Sequence, residues 1–133
     1  MARIIYVEDD ELVGQLVMET LADEGHAIGI VGDGKSALQI IATKKPDLVI
    51  LDVGLPEMGG MEVLAAMRRN QDLYLTPVLM LTGRQSANDE AIAIYTGATE
   101  YLRKPFDPDQ LVVVVEDLLK PRKGTSAPVL KPV

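Results

Sequence analysis

The chain has no cysteine and no tryptophan, one phenylalanine and one histidine. Without cysteine there is no disulfide framework, no thiolate metal centre and no cysteine nucleophile. With aromatic residues at only 4%, stacking platforms for nucleobases are not expected. Long apolar runs are also missing. The longest span five residues, as in Leu111 to Val115, where a membrane-spanning helix needs about twenty. The opening Met-Ala-Arg-Ile-Ile-Tyr-Val-Glu holds too short an apolar stretch for a secretory signal. A cytoplasmic chain without membrane contact is therefore expected. Positive charge is in short supply: 13 basic residues face 20 acidic ones, for a net charge of −7. Direct binding of nucleic acid by this chain is not expected, whereas cations and basic partner surfaces are favoured. No G-x-G-x-x-G follows the first apolar run, so a dinucleotide-cradling loop is not present there.

What the chain does have is a regular alternation. Its 133 residues are 47% hydrophobic and 25% charged, a length and balance suited to one globular domain with a core of its own. Short β-branched or fully apolar runs predict strands at 4–7, 27–31, 48–51, 78–81 and 99–102. Between and after them, apolar residues at helical spacing predict helices at 11–24, 35–45, 61–69, 88–95 and 108–120. Val112 to Val115 favour a strand by propensity. The preceding Asp107-Pro108-Asp109-Gln110 supplies an acidic cap, a proline at the first helical position and a glutamine three residues after the cap, and so favours helix. Five strands alternating with five helices imply right-handed crossovers and a parallel sheet covered on both faces. The expected fold is a flavodoxin-like (βα)5 three-layer sandwich with strand order 2-1-3-4-5, binding at the carboxyl ends of its strands. After Lys120 three prolines and no apolar period mark residues 121–133 as a tail or the stub of a linker, which leaves 1–120 as the domain.

In such a sheet the polar residues that close the strands share one edge: Glu8-Asp9-Asp10 after the first, Asp52 after the third, Thr82 after the fourth and Lys104-Pro105 after the fifth. Asp10 is expected to cap the following helix. Glu8, Asp9 and Asp52 would repel one another unless a cation sat among them. Mg2+ suits that setting, with the Gly54 backbone carbonyl as a further ligand. The hydroxyl of Thr82 and the ammonium of Lys104 would neutralise the oxygens of a phosphoryl group on Asp52, which is most of what phosphoryl transfer asks of a protein. Taken singly each residue has a plainer reading: a turn threonine, a solvated lysine, a helix-capping acid. His26 reads as structural or surface. A phosphatase using paired aspartates would want a second aspartate where Gly54 stands, and a flavin carrier would want a Ser/Thr/Gly-rich loop after the first strand.

The stretches Ile5-Tyr6-Val7-Glu8-Asp9-Asp10, Leu51-Asp52-Val53-Gly54-Leu55-Pro56, Leu81-Thr82-Gly83 and Tyr101-Leu102-Arg103-Lys104-Pro105-Phe106 stand in order. Together they resemble the receiver domain of two-component response regulators, including the chemotaxis regulators, across residues 3–120. The resemblance implies that Asp52 accepts a phosphoryl group from a histidine kinase or phosphotransfer protein. It implies that Glu8, Asp9, Asp52 and the Gly54 carbonyl hold Mg2+, that Thr82 and Lys104 bind phosphoryl oxygens, and that Thr82 and the aromatic Tyr101 form the switch. Such a chain modifies only itself and turns over no external metabolite. Its readout face would be the last two helices and the strand between them, for a partner or a second copy; one valine of 111–115 must be exposed there, because five consecutive residues encircle a helix. A receiver that binds partners without being phosphorylated is the alternative of another class. The chain departs from the family pattern at Gly59, where an aspartate is usual and a weaker helix cap is expected, and at Gly83, where alanine is common. Gly54 and Arg84 flank the expected phosphoryl position, and Arg84 is expected to alter the lifetime of that group.

Overall fold

The computed structural model describes residues 1–55, 57–83 and 87–120. The expected tail at 121–133, Pro56 and Arg84 lie outside the described residues. The elements run β1 (Arg3–Val7), α1 (Glu11–Ala22), β2 (Ala27–Val31), α2 (Gly34–Lys44), β3 (Leu48–Asp52), α3 (Gly60–Arg68), β4 (Val78–Thr82), α4 (Ala87–Thr96), β5 (Glu100–Arg103) and α5 (Pro108–Leu119). All strand pairs are parallel, and the order is β2-β1-β3-β4-β5, as the alternation predicts.

The period of two along each strand sorts the core into two layers. Ile5, Val7, Val49, Leu51, Val78 and Met80 face one way, into a cluster closed by Ala37, Ile41, Val63, Leu64 and Met67 of α2 and α3 and by Ala93 of α4. Ile4, Tyr6, Leu48, Ile50, Leu79 and Leu81 face the other way, against Val17 and Leu21 of α1 and Leu111, Val115 and Leu118 of α5. Every residue of β3 and β4 is buried, which is why those two runs carry no polar alternation before their last residue. β2 lies at the sheet edge, and none of its residues is fully buried.

Boundaries shift by no more than two residues from the sequence expectation, and the element types do not. α1 stops at Ala22 rather than 24, since Gly25 turns the chain at φ +91°. The valine run of α5 is helical. Asp107 caps it by accepting the Asp109 N–H at 2.9 Å, Pro108 opens it, and Val113 is 67% exposed while Leu111 and Val115 are buried. At α3, Gly59 offers no side-chain cap, but its N–H donates to Glu62 Oε1 at 3.2 Å. The capping deficit expected from Gly59 is thus partly made up by the acid three residues later.

Two polar side chains tie together the edge opposite the strands' carboxyl ends. His26 Nδ1 accepts the Ala2 N–H at 3.1 Å, which places the ring proton on Nε2, 2.6 Å from Glu116 Oε2. The only histidine therefore links β1 to α5 and has a structural task. Arg68, at the end of α3, donates Nε–H to the Gly97 carbonyl at 2.8 Å and Nη1 to the carbonyls of Thr76, Tyr74 and Leu73 at 2.8, 3.1 and 3.3 Å. Burial pulls its guanidinium down to about 10, still well above neutrality. Gly97 closes α4 at φ +124°, and a Cβ there would sit 2.8 Å from Arg68 Cγ. Both the left-handed turn and the close approach require glycine. Replacing Arg68 by Met keeps the aliphatic stem and strips four carbonyls of a charged donor. Guanidinium chloride unfolding should show a loss of about 2–4 kcal/mol, and a loss below about 0.5 kcal/mol would show that water satisfies those carbonyls equally well.

Candidate functional site

Strand register assembles the site. Val7 pairs with Leu51, so Glu8 and Asp52 leave the sheet at the same level, on neighbouring strands. Thr82 pairs with Arg103, and the Lys104 N–H donates to the Thr82 carbonyl at 2.7 Å, which places Lys104 one step beyond on β5's side. The Lys104–Pro105 peptide is cis. Asp10 turns the chain out of β1 by capping α1: its Oδ1 accepts the N–H of Leu12 at 2.9 Å and of Val13 at 3.2 Å. That turn leaves Glu8 buried and Asp9 exposed. On the far side α3 comes hard against the end of β3. The Gly60 N–H donates to the Val53 carbonyl at 3.1 Å, and a Cβ on Gly60 would stand 2.2 Å from the Asp52 carbonyl oxygen. Any side chain at 60 would push α3 away from Asp52.

The carboxylates of Glu8, Asp9 and Asp52 each bring an oxygen within 4.8 Å of the others. The Lys104 ammonium donates to Glu8 Oε1 at 2.9 Å and stands 3.6 Å from Asp52 Oδ1. Four of the side chains singled out in the sequence thus meet at one edge. Thr82, 1% exposed, closes β4 beside them. Tyr101 is half-buried and packs against the core layer of α2, α3 and α4, on β5, two strands from Asp52.

Sequence reasoning overlooked Tyr6. It is fully buried, and its hydroxyl donates to Glu8 Oε1 at 2.5 Å, on the same oxygen that receives Lys104. Burial, then the hydrogen bond to Glu8 and the nearby acids, push its ionisation far above the ordinary tyrosine range, so the hydroxyl remains a donor. The signal was present in the alternation of β1, which puts residues 6 and 8 on one face.

Asp52 is pushed above the usual carboxylate range, first by its own burial and then by the Glu8 charge; Lys104 and the Gly54 N–H pull the other way without cancelling this. Two buried acids and a third at the surface against one ammonium leave negative charge in excess, with all-oxygen donors open to solvent through Asp9. That donor set fits a small, hard divalent cation. An acid whose folded-state value lies above its unfolded value makes the fold lose stability as pH rises through the two values. Metal-free protein should therefore be more stable when Asp52 is neutral. Asp52→Asn in EDTA at pH 7 is expected to gain on the order of 1 kcal/mol, a few degrees in Tm. The gap should close as the wild type is acidified toward pH 4; a wild type more stable than the variant at pH 7 would refute the like-charge account.

Residues 4–116 match the family model of the response regulator receiver domain. The response regulator protein PmrA of Pseudomonas aeruginosa is 40% identical over 128 residues, covering 96% of this chain and 57% of that protein. The alkaline phosphatase synthesis transcriptional regulatory protein PhoP of Bacillus subtilis is 34% identical over 126 residues, covering 95% and 51%. The chain thus spans little more than half the length of these relatives. Among solved structures, the chemotaxis response regulator CheY4 of Vibrio cholerae superposes with TM-score 0.84 at 34% identity, covering 90% of this chain and 99% of that one. The BeF3-activated receiver domain of Klebsiella pneumoniae RstA gives TM-score 0.84 at 30% identity, with 90% and 99% covered. Strand order, acidic edge, family model and structural neighbours agree: the chain belongs to the receiver domains of two-component response regulators.

Proposed function

We propose that Asp52 is the phosphoacceptor of a two-component relay and that it is charged by a histidine kinase or a histidine phosphotransfer protein. The observation that carries this reading is the bridge made by Lys104, 2.9 Å from Glu8 and 3.6 Å from Asp52, within a cluster of acids that repel one another. Glu8, Asp9, Asp52 and the Gly54 carbonyl would hold Mg2+. Bound there, the ion supplies positive charge against the phosphoryl oxygens. The Asp52 carboxylate attacks phosphorus in line with the bond to the donor imidazole nitrogen. A P–O bond forms as the P–N bond breaks, and the imidazole leaves with the electron pair and takes up a proton. Lys104 moves its ammonium from the carboxylates to a phosphoryl oxygen, and Thr82 donates its hydroxyl to another. The rest of the reaction is positioning and charge neutralisation. Apart from this self-modification and its hydrolysis, the chain needs no substrate pocket.

Charging Asp52 adds about −1.5 to −2 charges and three acceptor oxygens. Drawing Thr82 toward them opens room on the side of β4 where Tyr101 stands, one strand away, and the pair form the switch. The α4–β5–α5 face reads it out. Ile92, Tyr95 and Val113 are 51%, 93% and 67% exposed there, an apolar surface for a partner or for a second copy. Residues 1–120 form the receiver, with 121–133 as tail or linker. Incubation with acetyl phosphate and Mg2+ should add one phosphoryl group by intact mass to the wild type, none to Asp52→Asn, and none to the wild type in EDTA. No gain in the wild type would favour instead a receiver that binds partners unphosphorylated.

A further inference from the structure

The phosphoacceptor reading gives Tyr6 no task. Its ring fills the α1/α5 side of the core among Ile4, Leu48, Ile50 and Leu81, where phenylalanine would fill the same space. A hydroxyl this deeply buried is tolerated only when bonded, and its partner is the Glu8 carboxylate at 2.5 Å. Glu8 is itself 4% exposed and is held at both oxygens: Oε1 receives Tyr6 and Lys104, and Oε2 receives the Asp10 N–H at 3.3 Å. Of these donors only Lys104 is needed elsewhere. If its ammonium moves to a phosphoryl group on Asp52, Glu8 loses its one charged donor, and a buried carboxylate left so is costly. Tyr6, rooted in the sheet, stays where it is.

We infer that Tyr6 is a positioning residue of the metal site: its hydroxyl holds the Glu8 carboxylate in the orientation that serves a divalent cation, and keeps it there when Lys104 turns to the phosphoryl group. This rests on the reading of Asp52 as phosphoacceptor and adds to it a residue outside the metal's own ligand set. Outer partners of this kind commonly change metal affinity by 10–100-fold.

The test is a cycle of wild type, Tyr6→Phe, Glu8→Gln and the double variant, each titrated with MgCl2 by calorimetry and melted with and without Mg2+. Tyr6→Phe is expected to weaken Mg2+ binding on the order of tenfold and to reduce the rise in Tm that Mg2+ confers. In the Glu8→Gln background it should weaken binding no further. Equal Mg2+ affinity in Tyr6→Phe and wild type overturns the inference, as does the same weakening with and without Glu8, which would mark a general packing effect. Should Tyr6→Phe fold poorly, the wild type alone decides. A slowly exchanging Tyr6 hydroxyl proton seen by NMR should persist when Mg2+ and beryllofluoride are added, and its disappearance overturns the inference. If the wild type neither binds Mg2+ nor gains a phosphoryl group, the phosphoacceptor reading falls as well. If it does both and Tyr6→Phe matches it, only the role of Tyr6 falls.

Discussion

Three acids crowded at one edge of a sheet repel one another, and the Lys104 ammonium is what the structure sets against them. Two like charges about 4 Å apart cost on the order of 4 kcal/mol at an effective dielectric constant near 20. Three acids make three repelling pairs. One ammonium at contact with Glu8 and with a longer reach to Asp52 sets two attractive pairs against those three, and Asp9 is left to solvent. The raised ionisation of Asp52 expresses its burial first and the Glu8 charge second. A site in this condition gains by taking up positive charge. Stability is withheld at the point where chemistry is needed.

The rest of the fold delivers these side chains with little freedom. Parallel pairing sends every strand end to the same rim, and register sets Glu8 beside Asp52. The full burial of β3 and β4 holds those two strands between the apolar layers on either side of the sheet. Gly60 lets α3 close on the back of Asp52 without a side chain between them. Tyr6 and the Asp10 N–H hold Glu8 from the core side and the loop side.

Much of this was legible in the chain. The fully apolar runs at 48–51 and 78–81 announce strands covered on both faces, and Asp107-Pro108 overrules the strand propensity of four consecutive valines. The polar residues at the strand ends could be placed together once a parallel sheet was accepted. What escaped has a common cause. Arg68 reads as an ordinary basic residue at a helix end, and its acceptors are carbonyls of loop residues, which carry no side-chain signature. The His26 pairing joins residues 90 apart through Glu116, and no periodicity reports on such a contact. Tyr6 passed as one more apolar strand residue, because burial of the ring is all that a hydrophobic pattern registers. Glycine at 59 suggested a deficit, and only the side-chain position of Glu62 reveals the compensation.

The grip of Arg68 on Gly97 has a mechanical consequence. It fastens the C-terminal end of α4 to α3 at the rim farthest from the acids, while the opposite end of α4 follows β4 near Thr82. At 10 residues the helix is about 15 Å long. At its Gly97 end one guanidinium couples α4, the end of α3 and the loop before β4, so a rigid shift of any one of them would be passed to the other two.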